Sequence, residues 1–329
     1  MDSPKTAGTG GMMRKSVVLT AFVLALAAMV GINLVAAQEP TDQRDDQTIT
    51  VDVDLVQVLF TATDRRGRLY TRLTEGDVRV FEDGIEQVIT VFDSETDLPL
   101  TIALLIDTSG SIRDKLRFEQ EAAIEFFYST IERNRDKGML VAFDSGVDLV
   151  QDFTDNPETL AEAVRKIRAG GGTSLYDAIS LSISEKMTQQ PEGRRVLIVI
   201  SDGDDNASRV SLTETLEMAQ KNDVVIYAIS TNSTANFGNR AQARGDKTLK
   251  TFAEETGGKA FFPFKLEDLA VSFADISEEL RAQYTLAYIP TNAVRDGTYR
   301  EIEVRPSDKD FKVKARKGYY APRDSEQDR

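Results

Sequence analysis

Two short runs, Ile102–Ile106 and Val196–Ile200, are apolar at every position. They restrict the fold more than anything else in the sequence. A strand that is apolar on both faces is buried on both faces, which is the condition of a central strand in a parallel sheet covered by helices. The surrounding pattern agrees. Residues 114–133 place Leu116, Ala123, Ile124, Phe127 and Ile131 on one helical stripe. Met139–Phe143 reads as a short buried strand, and 147–153 alternates like a strand nearer an edge. Helical patterns follow at 157–168 and 175–188, then a helix near 212–221, a strand at 224–229, a helix near 246–256, a strand at 259–262 and a helix near 266–281. Strands alternating with helices over about 180 residues predict an α/β fold, a doubly wound and mostly parallel sheet. Such sheets bind ligands at the carboxyl ends of their strands, where strand order reverses. The two most apolar strands run out at Asp107 and at Ser201-Asp202.

The α/β block, residues 98–282, is flanked by β-rich stretches at 48–97 and 283–320. In the first, Val56, Val58 and Phe60 share a face, and Val78–Phe81 and Gln87–Phe92 read as a hairpin around Gly84. In the second, 284–289, 299–304 and 311–315 alternate. Neither stretch alone has the strands of a stable sandwich. Together they supply about seven, enough for one small Ig-like sandwich with the α/β block inserted. The alternative is two separate appendages packed on that block. Residues 38–47 are polar and read as a flexible start, and 321–329 as a disordered tail.

Arg14 and Lys15 precede an apolar run from Ser16 to Val35, and Val35-Ala36-Ala37 offers the small residues of a cleavage site. Residues 1–37 are therefore expected to be a signal peptide or, uncleaved, an N-terminal membrane anchor. Either way the chain is expected to be exported: periplasmic or extracellular, or held at the inner membrane by that segment alone.

The 329 residues include no Cys and no His. Disulfides, thiolate chemistry, Ser-His-Asp triads and His-based metal sites are excluded. What remains is oxygen chemistry, suited to hard divalent cations. A formal charge of −14, with no basic stripe to offset it, argues against nucleic acid as a partner.

Three polar pieces sit where such a sheet would place a site. Asp107-Thr108-Ser109-Gly110-Ser111 leaves the first buried strand. Gly170-Gly171-Gly172-Thr173 opens a helix. Ser201-Asp202-Gly203 ends the neighbouring strand. Each alone has an ordinary explanation, as a helix cap or a turn. In this order, in one α/β block, they resemble the metal ion-dependent adhesion site of von Willebrand factor A domains, as in integrin I domains. The flanking segments, among them Leu73–Gly84, Tyr284–Tyr288 and Arg316–Ala321, are similar to exported VWFA-related proteins abundant in Acidobacteria.

The resemblance implies one divalent cation, Mg²⁺ first and Ca²⁺ or Mn²⁺ as alternatives. Its ligands would be Asp107, Ser109, Ser111, Thr173 and Asp202. It implies a protein partner presenting an Asp or Glu carboxylate, hence adhesion or envelope assembly rather than catalysis. The alternatives are a structural envelope module braced by the metal, or a metal-assisted hydrolase. Against the hydrolase, the first strand is followed by Ser109 where a dehalogenase-like phosphatase needs a second carboxylate, and Gly172-Thr173-Ser174 lacks the lysine of a P-loop.

Overall fold

Alternation in the N-terminal flank resolves into four strands: β1 (Val56–Asp64), β2 (Val78–Glu82), β3 (Ile85–Gln87) and β4 (Ile89–Asp93). The α/β block follows as β5 (Leu100–Asp107), α1 (Leu116–Thr130), β6 (Lys137–Phe143), β7 (Val147–Thr154), α2 (Pro157–Val164), α3 (Leu175–Leu181), β8 (Arg194–Ser201), α4 (Leu212–Lys221), β9 (Val224–Ser230), α5 (Arg240–Thr256), β10 (Ala260–Phe261) and α6 (Leu269–Arg281). The C-terminal flank adds β11 (Tyr284–Tyr288), β12 (Tyr299–Pro306), β13 (Phe311–Ala315) and β14 (Gly318–Tyr320). This computed structural model describes residues 55–94, 98–110, 115–190, 193–232, 240–265 and 268–323. The predicted signal or anchor segment 1–37, the polar stretch 38–47, Ser111 and most of the predicted tail lie outside the described residues.

The central sheet has the order β10-β9-β8-β5-β6-β7. All its pairings are parallel except β6 with β7 at the edge. Every residue of β5 and of β9 is buried, as the apolar runs Ile102–Ile106 and Val224–Ile229 within them require. One face packs on α1, α2 and α6 through Phe126, Phe127, Leu160, Phe273 and Ile276. The other packs on α3, α4 and α5 through Ile179, Ala219, Leu249 and Phe252. This is the doubly wound α/β arrangement.

The flanks form two four-stranded antiparallel sheets, β13-β1-β11-β4 and β14-β12-β2-β3, each drawing two strands from either side of the α/β block. A single core joins them, with Val58, Phe60 and Leu286 from one sheet and Val80, Ile302 and Val304 from the other. Asp83 and Gly84 turn β2 into β3 with positive φ at both positions (48° and 80°), the conformation of a two-residue hairpin. The expected second hairpin strand, Gln87–Phe92, is not one strand. It divides at exposed Val88: β3 pairs with β2, whereas β4 pairs with β11 in the opposite sheet. Alternation continues through such a corner, so periodicity alone does not register the change of sheet.

Three other expectations need adjustment. Helix 175–188 is α-helical only to Leu181 and continues as a π turn and a 3₁₀ turn. The helix expected near 246–256 begins at Arg240, and residues 240–246 form the first turns of α5, where Ala241 and Ala243 are good helix formers. The strand expected at 259–262 is the two-residue β10, in which Phe261 is buried, whereas Phe262 and Phe264 are exposed beyond its end. Asp205 accepts hydrogen bonds from Tyr176 N (3.0 Å) and Ser208 Oγ (2.6 Å) and so caps the start of α3.

The two parts of the fold meet where the chain crosses between them, and a buried arginine closes that joint. Arg194, at the start of β8, donates to Leu98 O (3.1 Å), to Leu280 O and to Gln283 Oε1 (3.2 Å). It thereby satisfies carbonyls on both crossing segments.

Candidate metal centre

The strand order reverses between β5 and β8. From β5 the chain winds outward to β6 and β7, and from β8 to β9 and β10. The two strands run parallel with Ile106 beside Ile200, so Asp107 and Ser201-Asp202 leave the sheet at the same edge. Three loops converge there, and hydrogen bonds join each pair of them.

The first loop binds the second through the backbone. Gly110 N donates to Gly171 O (3.2 Å), and Gly170 N donates to Thr108 O (2.6 Å). Gly171 adopts φ +84°, and a Cβ there would lie 2.6 Å from Asp144 Oδ2, so only glycine fits the curl. The first loop binds the third through Ser201. Its hydroxyl donates to Asp107 Oδ2 (2.7 Å) and accepts from Gly203 N (3.0 Å). The other Asp107 oxygen accepts from Ser109 N (2.8 Å). The second loop binds the third through Asn206: Thr173 N donates to Asn206 Oδ1 (3.1 Å), and Asn206 N donates to Thr173 O (3.0 Å). With its backbone so engaged, Thr173 keeps a hydroxyl that has no hydrogen-bond partner among the described residues.

Helix α5 supports the third loop from behind. Gly203 (φ +78°) and Gly245 approach so closely that a Cβ on Gly203 would lie 2.2 Å from Gly245 O. Asn232 Nδ2 donates to Asp202 O (2.9 Å) and to Asp246 Oδ1 (2.8 Å).

Of the five residues the sequence singled out, Asp107, Ser109, Thr173 and Asp202 thus stand on three mutually bonded loops. Ser111 lies outside the described residues. Asp107, Ser109 and Thr173 are buried, and Asp202 is half-buried. Burial pushes the Asp107 carboxyl up to about 6, against the hydrogen bonds from Ser109 and Ser201 that favour its charged form. Glu119, in the first turn of α1, is pushed up to about 8 by burial, with the negative charge of Asp107 adding to the effect. A cation beside these groups would return both to the ionised form, so the donors present suit a hard divalent ion. Among the described residues no three acidic side chains group closely enough to hold an ion by themselves. A site that takes most of its oxygens from hydroxyls does not need such a group.

Sequence reasoning missed Ser201, Asn206 and Glu119. The Ser-Asp-Gly spacing pointed at the right loop. The residue that ties it to Asp107, however, is recognisable only once the two strands are adjacent.

Residues 102–204 match the von Willebrand factor type A domain family. The human von Willebrand factor A domain-containing protein 3B is 26% identical over 185 residues, 54% of this chain and 13% of the human protein. An uncharacterised protein of Borreliella burgdorferi is 23% identical over 224 residues, 64% of this chain and 62% of that protein. The chain therefore spans less than two thirds of the length of either relative. Among solved structures, proximal thread matrix protein 1 from the mussel byssus, with a zinc-occupied MIDAS motif, has a TM-score of 0.48 at 17% identity, covering 59% of this chain and 48% of that one. With its doubly wound sheet and the family match across β5 to β8, this chain carries a von Willebrand factor type A domain.

Proposed function

We propose that this domain is a cation-dependent protein-binding module of the cell envelope. Asp107, Ser109, Ser111, Thr173 and Asp202 hold one divalent cation, Mg²⁺ in first place and Ca²⁺ or Mn²⁺ as alternatives. A partner protein completes the shell with an Asp or Glu carboxylate. The observation that carries this reading is the Thr173 hydroxyl: unpartnered among the described residues, on a residue only 4% exposed, and on a loop tied to both acidic strand ends. Two carboxylates and three hydroxyls supply at most five of the six oxygens Mg²⁺ takes, and Mg²⁺ keeps exchangeable waters where protein does not reach. A third carboxylate is the natural replacement for one of them.

An envelope location is supported by Arg14 and Lys15 ahead of the apolar run 16–35 and by the small residues Val35–Ala37. The bracing reading, in which the metal only holds the loops together, is weakened by the hydrogen bonds that already join the loops pairwise. A hydrolytic reading would need a general base. The chain has no histidine to serve as one.

The test is a pull-down from envelope extract by the purified protein, with and without chelator and with Asp107→Ala. Partner capture is expected to vanish in chelator and in the variant. Undiminished capture in excess chelator refutes the reading. Metal-free protein that melts far below the loaded form, with capture unaffected at low temperature, would instead favour the brace.

A further inference from the structure

Glu119 has no role in the oxygen set above. It lies four residues into α1, is fully buried, and neither carboxylate oxygen has a hydrogen-bond partner among the described residues. The other deeply buried acids of the described chain are all engaged. Asp136 accepts from Leu100 N and Arg281, Glu82 from the hydroxyls of Tyr288 and Tyr319, Glu279 from Tyr227 and Lys314, and Asp107 from Ser109 and Ser201. Buried carboxylates are paired or serve a metal, because desolvation without compensation is prohibitive.

The helix determines where this one points. Cα–Cβ bonds in an α-helix tilt toward its N-terminus, and long side chains lie over the preceding turn. Glu119 is therefore carried back toward the loop that leaves Asp107. The charged groups that act on it are Asp107, Lys115 and Asp202. Two of these are proposed cation ligands. The third, Lys115, sends its ammonium to Thr231 O at the end of β9 rather than to Glu119.

We infer that Glu119 is the outer carboxylate of the cation site, accepting a hydrogen bond from a cation-bound water on the side of α1. This rests on the cation-binding reading above. A water-mediated place accommodates the absence, among the described residues, of any three acidic side chains close enough to ligate one ion directly. It also accounts for the orphaned oxygens, since a buried polar group lacking protein partners is satisfied by water or an ion. The consequence is functional. A third negative charge tightens the hold on the cation, and it also makes the site less attractive to an incoming carboxylate. Glu119 would then set the balance between keeping the ion and binding the partner.

The experiment measures Mn²⁺ binding to the full chain, in detergent because of its apolar segment 16–35. Free ion is followed by electron paramagnetic resonance, with Mg²⁺ competition, in wild-type, Glu119→Gln and Asp107→Ala proteins. Removal of an outer-shell partner lowers metal affinity about tenfold to a hundredfold, and that loss is expected for Glu119→Gln with an unchanged circular dichroism spectrum. Asp107→Ala is expected to abolish binding. If Asp107→Ala abolishes binding while Glu119→Gln stays within about twofold of wild type, well under the expected loss, the Glu119 inference is overturned and the cation site stands. If Asp107→Ala binds normally, the site itself is wrong. Should Glu119→Gln fail to fold, Mn²⁺ relaxation of the Glu119 carboxyl ¹³C in wild-type protein decides the matter. One water between them places ion and carboxyl about 5 Å apart, whereas about 8 Å or more overturns the inference.

Discussion

Replacing Ser201 by alanine should uncouple the two acidic strand ends. Ser201 is fully buried at the last position of β8, where its hydroxyl donates to Asp107 Oδ2 at 2.7 Å and accepts from Gly203 N at 3.0 Å. At pH 8 Asp107, with its carboxyl pushed up to about 6, is ionised, so the first of these is a hydrogen bond to a charged acceptor. Such bonds contribute about 1.5–3 kcal/mol, and a buried donor left without a partner costs about 1–3 kcal/mol more. The contributions overlap, because each includes desolvation of the same small volume. About 3 kcal/mol is therefore the expected loss in chelated protein, which for a domain of this size lowers Tm by roughly 6 °C or more. Cation affinity should fall by about tenfold, since Asp107 loses the group that aims it. Scanning calorimetry in chelator measures the first effect, and Mg²⁺ titration calorimetry the second. A variant that melts within a degree of wild type and binds Mg²⁺ equally well would refute the view that Ser201 organises the site.

Gly203→Ala would drive a Cβ to 2.2 Å from Gly245 O in a backbone already at φ +78°, so urea unfolding should report a loss of at least about 2 kcal/mol. Unchanged stability would mean the loop and α5 do not meet so closely. The carboxyls of Asp107 and Glu119 are raised from ordinary values of 3.8 and 4.5 to about 6 and about 8. Their contribution to stability is fully present below the ordinary values and is lost as pH rises through the raised ones. The Tm of chelated protein should therefore fall between pH 5 and pH 8.5, while the increment from saturating Mg²⁺ grows; a Tm in chelator that rises over that range contradicts this. Arg194→Met keeps the bulk at the joint but strips Leu98 O and Leu280 O of their buried donor, for a loss of about 2–4 kcal/mol and faster limited proteolysis near those residues. Proteolysis indistinguishable from wild type would show that the joint does not depend on the guanidinium.

Much of this molecule could be read before any tertiary contact was known. Ile102–Ile106 and Val196–Ile200 are buried central strands because residues apolar on both faces have no other stable place. The absence of Cys and His narrowed any metal chemistry to oxygen donors. The three polar loops were identifiable because each follows a buried strand or opens a helix, where a doubly wound sheet presents its ligands. Ser201 was quoted only as the neighbour of Asp202. It faces Asp107 across 94 residues of chain, and no local spacing encodes that approach.

The division has a physical basis. Periodicity and residue chemistry are local, and they determined the alternation of strands and helices, the acidic ends of β5 and β8, and the kind of donor available. Pairing is not local. Alternation states which face of a strand is buried but not which strand lies beside it, so only the tertiary structure decided that β1 pairs with β11 and β13, that β2 pairs with β12, and that the chain changes sheets at Val88. Burial of a polar group is decided in the same way, by what covers it. In the sequence Glu119 is one acidic residue among many on a helix; in the fold it is a carboxylate sealed under α1 with no partner for either oxygen among the described residues.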